Sequence, residues 1–361
     1  MNRQNIIRAM AAGAVILAVN FSAQAQVGGA LQRARNAAQG AVEQATGTSG
    51  QQNAGEQQSS TTQPATGGVA LPAAPARAPQ QPWAIGETRS SGQAHATAVQ
   101  ATYANGVLTI KGAGRVQDFV ITARDDNRPW AAHVKEITSV VAEEGVTHLP
   151  EFAFYGCENL TSVSLPGTLE NIAGAAFFGC KSLVSITLPK SLDVFTTGTV
   201  PDGKGSVYMA GLFGQCTALT EIKVADGSAK YKSVDGVLYV FFSNRWRLAS
   251  YPAGRTNATF TVPDQTPVIL PGAFANCTAL KEIVMPQSLG EILQSAFHGC
   301  TGLEKLTLLQ PTGAVSLGRD AFEGVDMTKI KILVPAKILE NYTTRADSGW
   351  RTWASQISAI N

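Results

Sequence analysis

Ala176-Phe177-Phe178-Gly179-Cys180-Lys181-Ser182-Leu183-Val184-Ser185-Ile186-Thr187-Leu188-Pro189 is the stretch that decides the fold, because its spacing returns along the chain. Residues 160–180 place Leu160, Val163, Leu165, Leu169, Ile172, Ala176, Phe177 and Cys180 at fixed offsets. Shifted back by 23 residues, the same offsets hold Ile137, Val140, Ala142, Val146, Leu149, Ala153, Phe154 and Cys157. At 280–300 they hold Leu280, Ile283, Met285, Leu289, Ile292, Ala296, Phe297 and Cys300. Three copies in register at that many spaced positions define an internal repeat.

Interrupted copies fill the intervals. Leu183, Ile186, Leu188 and Leu192 begin one that is lengthened between Phe195 and Met209 and resumes at Phe213 and Cys216. Leu219, Ile222 and Val224 start another, which runs into a long insertion. Phe260, Val262, Ile269, Ala273, Phe274 and Cys277 complete a further copy, and Leu303, Leu306, Leu308, Ala321 and Phe322 a late one, with Val325 in the cysteine slot. Ile332 and Val334 give a last strand.

The Leu-x-x-Val-x-Leu core of each copy reads as a short strand with alternate residues inward: Val163 and Leu165 face in, Ser162 and Ser164 out. The proline after several strands, as at Pro166, Pro189 and Pro286, cannot donate to a ladder and ends the strand. The Leu, Ile, Ala and Phe of the remaining half supply a second inward row. One copy cannot bury its own apolar side, so neighbours stack. The expected fold is a β-rich α/β solenoid of about eight short parallel strands, one per turn.

The pattern Ala-Phe-x-Gly-Cys-x-x-Leu-x-x-Val-x-Leu-Pro resembles the BspA-type leucine-rich repeat of bacterial surface proteins, over about residues 100 to 355. Tyr231-Lys-Ser-Val-Asp-Gly-Val-Leu-Tyr239, followed by Tyr251-Pro-Ala-Gly254, resembles a hairpin insertion that members of this family often carry. The chain departs from the family at Val240 to Arg247, where Val-Phe-Phe and Trp246 stand in place of a more polar tip. An open array also needs its ends closed. Thr102 to Ile110, with Asn105-Gly106 between strand-like runs, reads as a β-hairpin closing the front, and Pro129-Trp130 lies in the same cap, as in the family. Ile338, Leu339, Tyr342, Trp350 and Trp353 belong to a helical C-terminal cap.

The expected organisation is a signal peptide over 1–25, a low-complexity spacer over 26–83, an N-terminal β cap over 84–133, repeats over 134–335 with the hairpin insertion near 226–256, and a closing cap over 336–361. Arg3 and Arg8, the apolar run Ala9 to Val19, and Ala23-Gln24-Ala25 make the export signal. The following segment has no aromatic residue between Phe21 and Trp83, and so too little apolar surface to offset its chain entropy. Within it, Leu31, Ala34, Ala38, Ala41 and Ala45 approach helical spacing, but Ala is a weak anchor, and a transient helix in a linker is favoured over a membrane-surface or partner-docking helix. No stretch after the signal is long and apolar enough to be a transmembrane segment. The chain is therefore expected to be exported, at the cell surface or secreted, with the periplasm as the other destination.

Charge narrows the partners. Of 28 Lys and Arg, removing Arg3 and Arg8 leaves 26 against 26 Asp and Glu. A chain with no net charge has no general pull on a phosphate backbone, so nucleic acid is not an expected partner. The five cysteines all occupy the same repeat slot, which favours a ladder of buried thiols, with a disulfide between neighbours such as Cys157 and Cys180 or Cys277 and Cys300 as the alternative. No Cys/His cluster with metal-ligand spacing exists. Gly198-Thr-Val-Pro-Asp-Gly203-Lys204 imitates a phosphate loop but is followed by Gly205, where Ser or Thr would hold magnesium. His95, His133, His148 and His298 have no partner spacing, and no nucleophile elbow appears. The expectation is a non-enzymatic protein without cofactors.

Surface is what remains. The outward strand positions are Ser162, Ser164, Ser185, Thr187, Glu221, Lys223, Glu282, Lys305 and Thr307: small polar groups first, mixed charge later. The insertion brings Tyr239, Phe241, Phe242 and Trp246 near a tip of Ser243-Asn244-Arg245. Aromatics with an arginine are common interface anchors, although strand alternation turns some of them inward onto the solenoid. The resemblance implies adhesin-like binding of another macromolecule: a protein, such as a host or matrix protein, or a surface glycan held by the aromatic hairpin. A periplasmic or envelope scaffold is the competing reading.

Overall fold

Each repeat folds as three straight segments joined by tight corners. A computed structural model describes residues 81–87, 99–121, 125–201, 207–209, 211–344 and 349–360, all within the compact unit Ala78–Asn361. The expected signal peptide, the spacer as far as residue 80, and His95 lie outside the described residues, as does the end of the phosphate-loop-like stretch, residues 202–205.

The first segment of each turn is the expected strand. Ser139–Ala142, Ser162–Ser164, Ser185–Leu188, Glu221–Val224, Thr259–Thr261, Glu282–Met285, Lys305–Leu308 and Lys331–Val334 form this front row. Where they pair they run parallel and in repeat register, Ser139 opposite Ser162 and Ile283 opposite Leu306. The second segment also pairs, as very short strands: Val146–Leu149, Asn171–Ile172 and Val194–Phe195, then Val268–Ile269, Glu291–Ile292 and Ser316–Leu317. The architecture is thus a parallel β-solenoid of about eight turns with little helix. Its one α-helix among the described residues is Leu339–Thr343.

The third segment is the Ala-Phe-x-Gly-Cys stretch, and it is not a strand. Its turns are linked by rungs in which an N–H donates to the next turn's carbonyl: Phe154 to Ala176 at 2.8 Å, Gly156 to Phe178 at 2.9 Å, Phe297 to Ala321 at 2.7 Å. The rung geometry needs left-handed backbone twice per turn, at φ 61° for Phe152 and 72° for Gly156, and again at 54° for Ala175 and 76° for Gly179. Glycine meets that need without a Cβ clash, which explains its place in the motif.

Facing inward from this side, the motif phenylalanines stack along the core. Ring centroids are 5.3 Å apart for Phe154 and Phe177, 5.1 Å for Phe274 and Phe297, and 4.9 Å for Phe297 and Phe322. Each such contact contributes about 0.5–1.5 kcal/mol beyond area burial. Beside them all five cysteines are buried, and none is joined in a disulfide. The Sγ of Cys180 donates to Phe154 O, Cys216 to Phe177 O, Cys277 to Tyr251 O and Cys300 to Phe274 O, at 2.9–3.7 Å. The repeat slot holds cysteine because a small apolar side chain there carries one weak donor aimed at the previous turn. Burial pushes the Cys157 thiol up to about 12. It also raises Cys180 and Cys277, helped by the thiols of Cys216 and Cys300 beside them.

The insertion is a three-stranded antiparallel meander, Tyr231–Val234, Val237–Phe242 and Arg245–Ser250. Its two-residue turns, Asp235-Gly236 and Ser243-Asn244, have positive φ at both positions, as tight hairpins require. It does not project from the solenoid as an arm. The Asp235-Gly236 turn lies against Glu221–Val224, with Ile222 N donating to Gly236 O at 2.9 Å and Ser233 Oγ to Ile222 O at 2.6 Å. Its last strand joins the second row, Leu248 opposite Ile269. Tyr231, Leu238 and Ala249 complete the core of the preceding turns, while Val237, Tyr239, Leu248 and Tyr251 begin the core of the following ones. The meander is a partition between two hydrophobic cores.

Before the first turn, Val99–Ala104 and Val107–Gly112 form the expected hairpin about Asn105-Gly106, and Val107–Gly112 pairs parallel with Ser139–Ala142. Trp83 is buried and pairs with Ala101. Carbonyls of the first rung, which have no earlier turn to accept from, receive Arg128 and Trp130: Nη1 donates to Tyr155 O at 2.8 Å and Phe152 O at 3.3 Å, and Nε1 to Ala153 O at 3.1 Å. Arg128 is 4% exposed and pairs with Asp126 at 2.6 Å. After Val334 come the short helix, a 3-10 stretch Trp350–Gln356 and a further parallel strand, Ile357–Ala359. Trp350 packs on Phe322 and donates Nε1 to Val315 O at 2.7 Å.

Candidate functional site

The candidates divide between the front row and the meander tip. In the front row Ser162, Ser164, Ser185 and Thr187 are exposed. Parallel register sets Ser162 Oγ 2.9 Å from Ser139 Oγ, the repeat's serine meeting its own copy one turn away. Glu221 is half-buried and pairs with Lys223 at 3.1 Å within its own strand. Beyond the meander, Glu282 pairs with Lys305 at 3.1 Å across adjacent turns. These solvent-accessible pairs contribute little stability, on the order of 0–1 kcal/mol each. Thr307 departs from the outward expectation, being only 9% exposed. Its register neighbours are Val284 and Leu333, two larger apolar side chains that flank it on the same side of the sheet.

At the tip, Phe242 and Trp246 are half-buried and Arg245 is exposed. Tyr239, expected near the tip, is 2% exposed, because its register opposite Leu248 carries it into the second core. Phe241 and Trp246 face each other across the hairpin at 5.1 Å. Lys232 Nζ lies 4.3 Å from the Trp246 ring centroid, and the Arg247 guanidinium 4.6 Å from that of Phe242. Burial lowers the Arg247 pKa, offset in part by Glu291. Beside the tip runs an open groove of about 300 Å³, lined by Asn244, Arg245, Trp246, Gln265, Pro267 and Ser288.

Sequence reasoning missed Lys232, Gln265 and Ser288. No local pattern points to them, since only the pairing of Leu248 with Ile269 brings the loop before Val268 beside the tip. It also missed a partner for His133, whose Nδ1 lies 2.9 Å from Glu136 while Tyr103 donates its hydroxyl to the same carboxylate at 3.0 Å. The His133 hydrogen bond, with that of Tyr103, lowers the Glu136 pKa. His148 is pushed down by burial and by Arg115. Its Nδ1 lies 2.8 Å from the hydroxyl of the neighbouring Thr147.

Stacked turns with a parallel front row and a ladder of leucine, phenylalanine and cysteine define a leucine-rich repeat solenoid. Residues 132–200 and 255–346 match the BspA type leucine rich repeat region in six copies. Among solved structures it is similar to a leucine-rich repeat protein of Eubacterium ventriosum, at 18% identity over 73% of this chain and 82% of that one, TM-score 0.36. A leucine rich cell surface protein of Faecalibacterium prausnitzii matches at 20% identity over 73% and 93%, TM-score 0.32. The pneumococcal vaccine antigen PcpA matches at 14% over 73% and 96%, TM-score 0.36. No curated protein gives a significant match.

Proposed function

We propose that this is an exported, non-enzymatic repeat protein that binds another protein through the outward side of its front row, in the manner of a surface adhesin. The observation that supports it is the row itself: Ser162, Ser164, Ser185 and Thr187 expose small hydroxyls from strands held by backbone pairing and packed core. Small side chains on a rigid strand surface let a partner approach closely at low entropic cost, with Glu221 and Lys223 beside them to fix orientation. The match to the BspA type leucine rich repeat region supports the same reading.

Two measurements test it. Brief protease treatment of intact producing cells, with a periplasmic marker as control, is expected to clip the domain while the marker survives. Protection until the outer envelope is broken sinks the adhesin reading in favour of an envelope scaffold. For the surface itself, Ser164→Trp and Thr187→Arg are expected to abolish capture of matrix proteins while leaving thermal unfolding unchanged; undiminished capture removes the front row from consideration.

A further inference from the structure

The meander tip carries chemistry that the partition does not use. Packing of two cores needs Tyr231, Val237, Leu238, Tyr239, Leu248 and Ala249, all buried. It does not need the exposed Arg245 beyond them, and Trp246, although one side of it packs on the second core, is left half in solvent at the wall of a groove. The groove's lining combines one large aromatic ring, one guanidinium, two primary amides, a hydroxyl and a proline, with no carboxylate among the six residues. Lys232 reinforces the positive sign from the Trp246 ring, and neither it nor Arg245 has a salt-bridge partner among the described residues.

We infer that this groove binds an acidic glycan, a uronic-acid-containing polysaccharide, through a site separate from the front row. A pyranose ring offers an apolar C–H face, which an indole matches in area and polarity, while its hydroxyls suit side-chain amides and a serine hydroxyl. The guanidinium of Arg245 presents parallel donors that fit a carboxylate in bidentate fashion. An open groove suits an inner unit of a long chain, whose ends leave on both sides. The positive sign and lack of a competing carboxylate select the acidic glycan over a neutral one, and the broad aromatic wall selects a sugar over an acidic peptide.

The test uses the full chain with tetragalacturonate, cellotetraose and a poly-glutamate peptide, read by tryptophan fluorescence and calorimetry. Tetragalacturonate is expected to bind saturably and shift the Trp246 emission, with cellotetraose at least about tenfold weaker and the peptide weaker still. Arg245→Gln, at an exposed position, is expected to weaken tetragalacturonate about three- to tenfold and leave cellotetraose unchanged. Trp246→Ala is expected to weaken both sugars about tenfold or more. Because Trp246 also touches the second core, Gln265→Ala and Ser288→Ala serve as independent variants that leave the core intact, each costing a few-fold in affinity. Ser164→Trp in the front row leaves sugar binding unchanged, so failure of one site is distinguishable from failure of the other. Absence of saturable binding, poly-glutamate competing as well as the sugar, or indifference to Arg245→Gln each overturns the proposal.

Discussion

Replacing Phe297 by alanine is the sharpest probe of how this solenoid holds together. Phe297 is fully buried and stacks on both sides, with Phe274 at 5.1 Å and 9° and with Phe322 at 4.9 Å and 5°. Truncating a buried phenylalanine costs about 3–5 kcal/mol, and losing two ring contacts at about 0.5–1.5 kcal/mol each places this one at the upper end. With a urea dependence of about 2 kcal/mol per molar, the affected unit is expected to unfold roughly 2 M earlier. The affected unit is not the whole domain. Turns of a solenoid interact with their neighbours, and here the meander divides the core into one cluster ending at Tyr231, Leu238 and Ala249 and another beginning at Val237 and Tyr239. Hydrogen exchange read by mass spectrometry across a urea series is therefore expected to show residues 259–334 losing protection early while 139–188 keep their original midpoint. Phe177→Ala is expected to reverse the pattern. If Phe297→Ala moves both halves by the same amount, the partition does not separate two cooperative units and the reasoning fails.

Further outcomes follow from single contacts. Arg128→Met removes the donor to the first rung and leaves Asp126 without its partner, at a cost of about 3 kcal/mol in urea unfolding of the front half. Burial raises the Asp126 pKa, but the hydrogen bonds and charge of Arg128 outweigh it and hold the carboxyl below its usual value. Its contribution is thus fully present above the unfolded value of about 3.9 and is lost as pH falls through the lower folded value. Acid unfolding of Arg128→Met is expected to lack this component, and an unchanged acid transition counts against the pair. Thiol labelling at pH 8 is expected to leave all five cysteines unmodified in the native protein and to modify all five after unfolding without reductant. Fewer than five on unfolding would reveal a disulfide. Gly302→Ala is expected to destabilise by more than 1 kcal/mol in urea, because a Cβ there overlaps the carbonyl of Thr278 in the preceding turn.

Much of the architecture was legible because the repeat encodes it redundantly. The 23-residue offset that links Leu160 to Ile137 in the sequence is the offset that sets Ser162 opposite Ser139 in the sheet. Phe177 and Cys180 were readable as core for the same reason. The second row of strands was less legible: Asn171–Ile172 and Glu291–Ile292 are two residues long, too short for alternation to show. The meander was visible as a hairpin, but not as a partition. Val237, Leu238 and Tyr239 are all buried, and a continuous apolar run of that kind means burial on both faces, whereas a two-faced arm would alternate. The tip groove was not legible, since Trp246 meets Gln265 and Ser288 only through a parallel pairing that no local signal announces.

The partition has a consequence for how such a chain changes over generations. A plain array transmits any gain or loss of a coil to the coils on either side, because each presents its neighbour with the surface that neighbour was shaped to meet. Here Leu238 and Ala249 finish one array, and Val237, Tyr239 and Leu248 found another. Recombination can lengthen or shorten the segment on one side of Tyr231–Ser250 while the other side keeps the same abutment, so the two lengths are free to evolve separately.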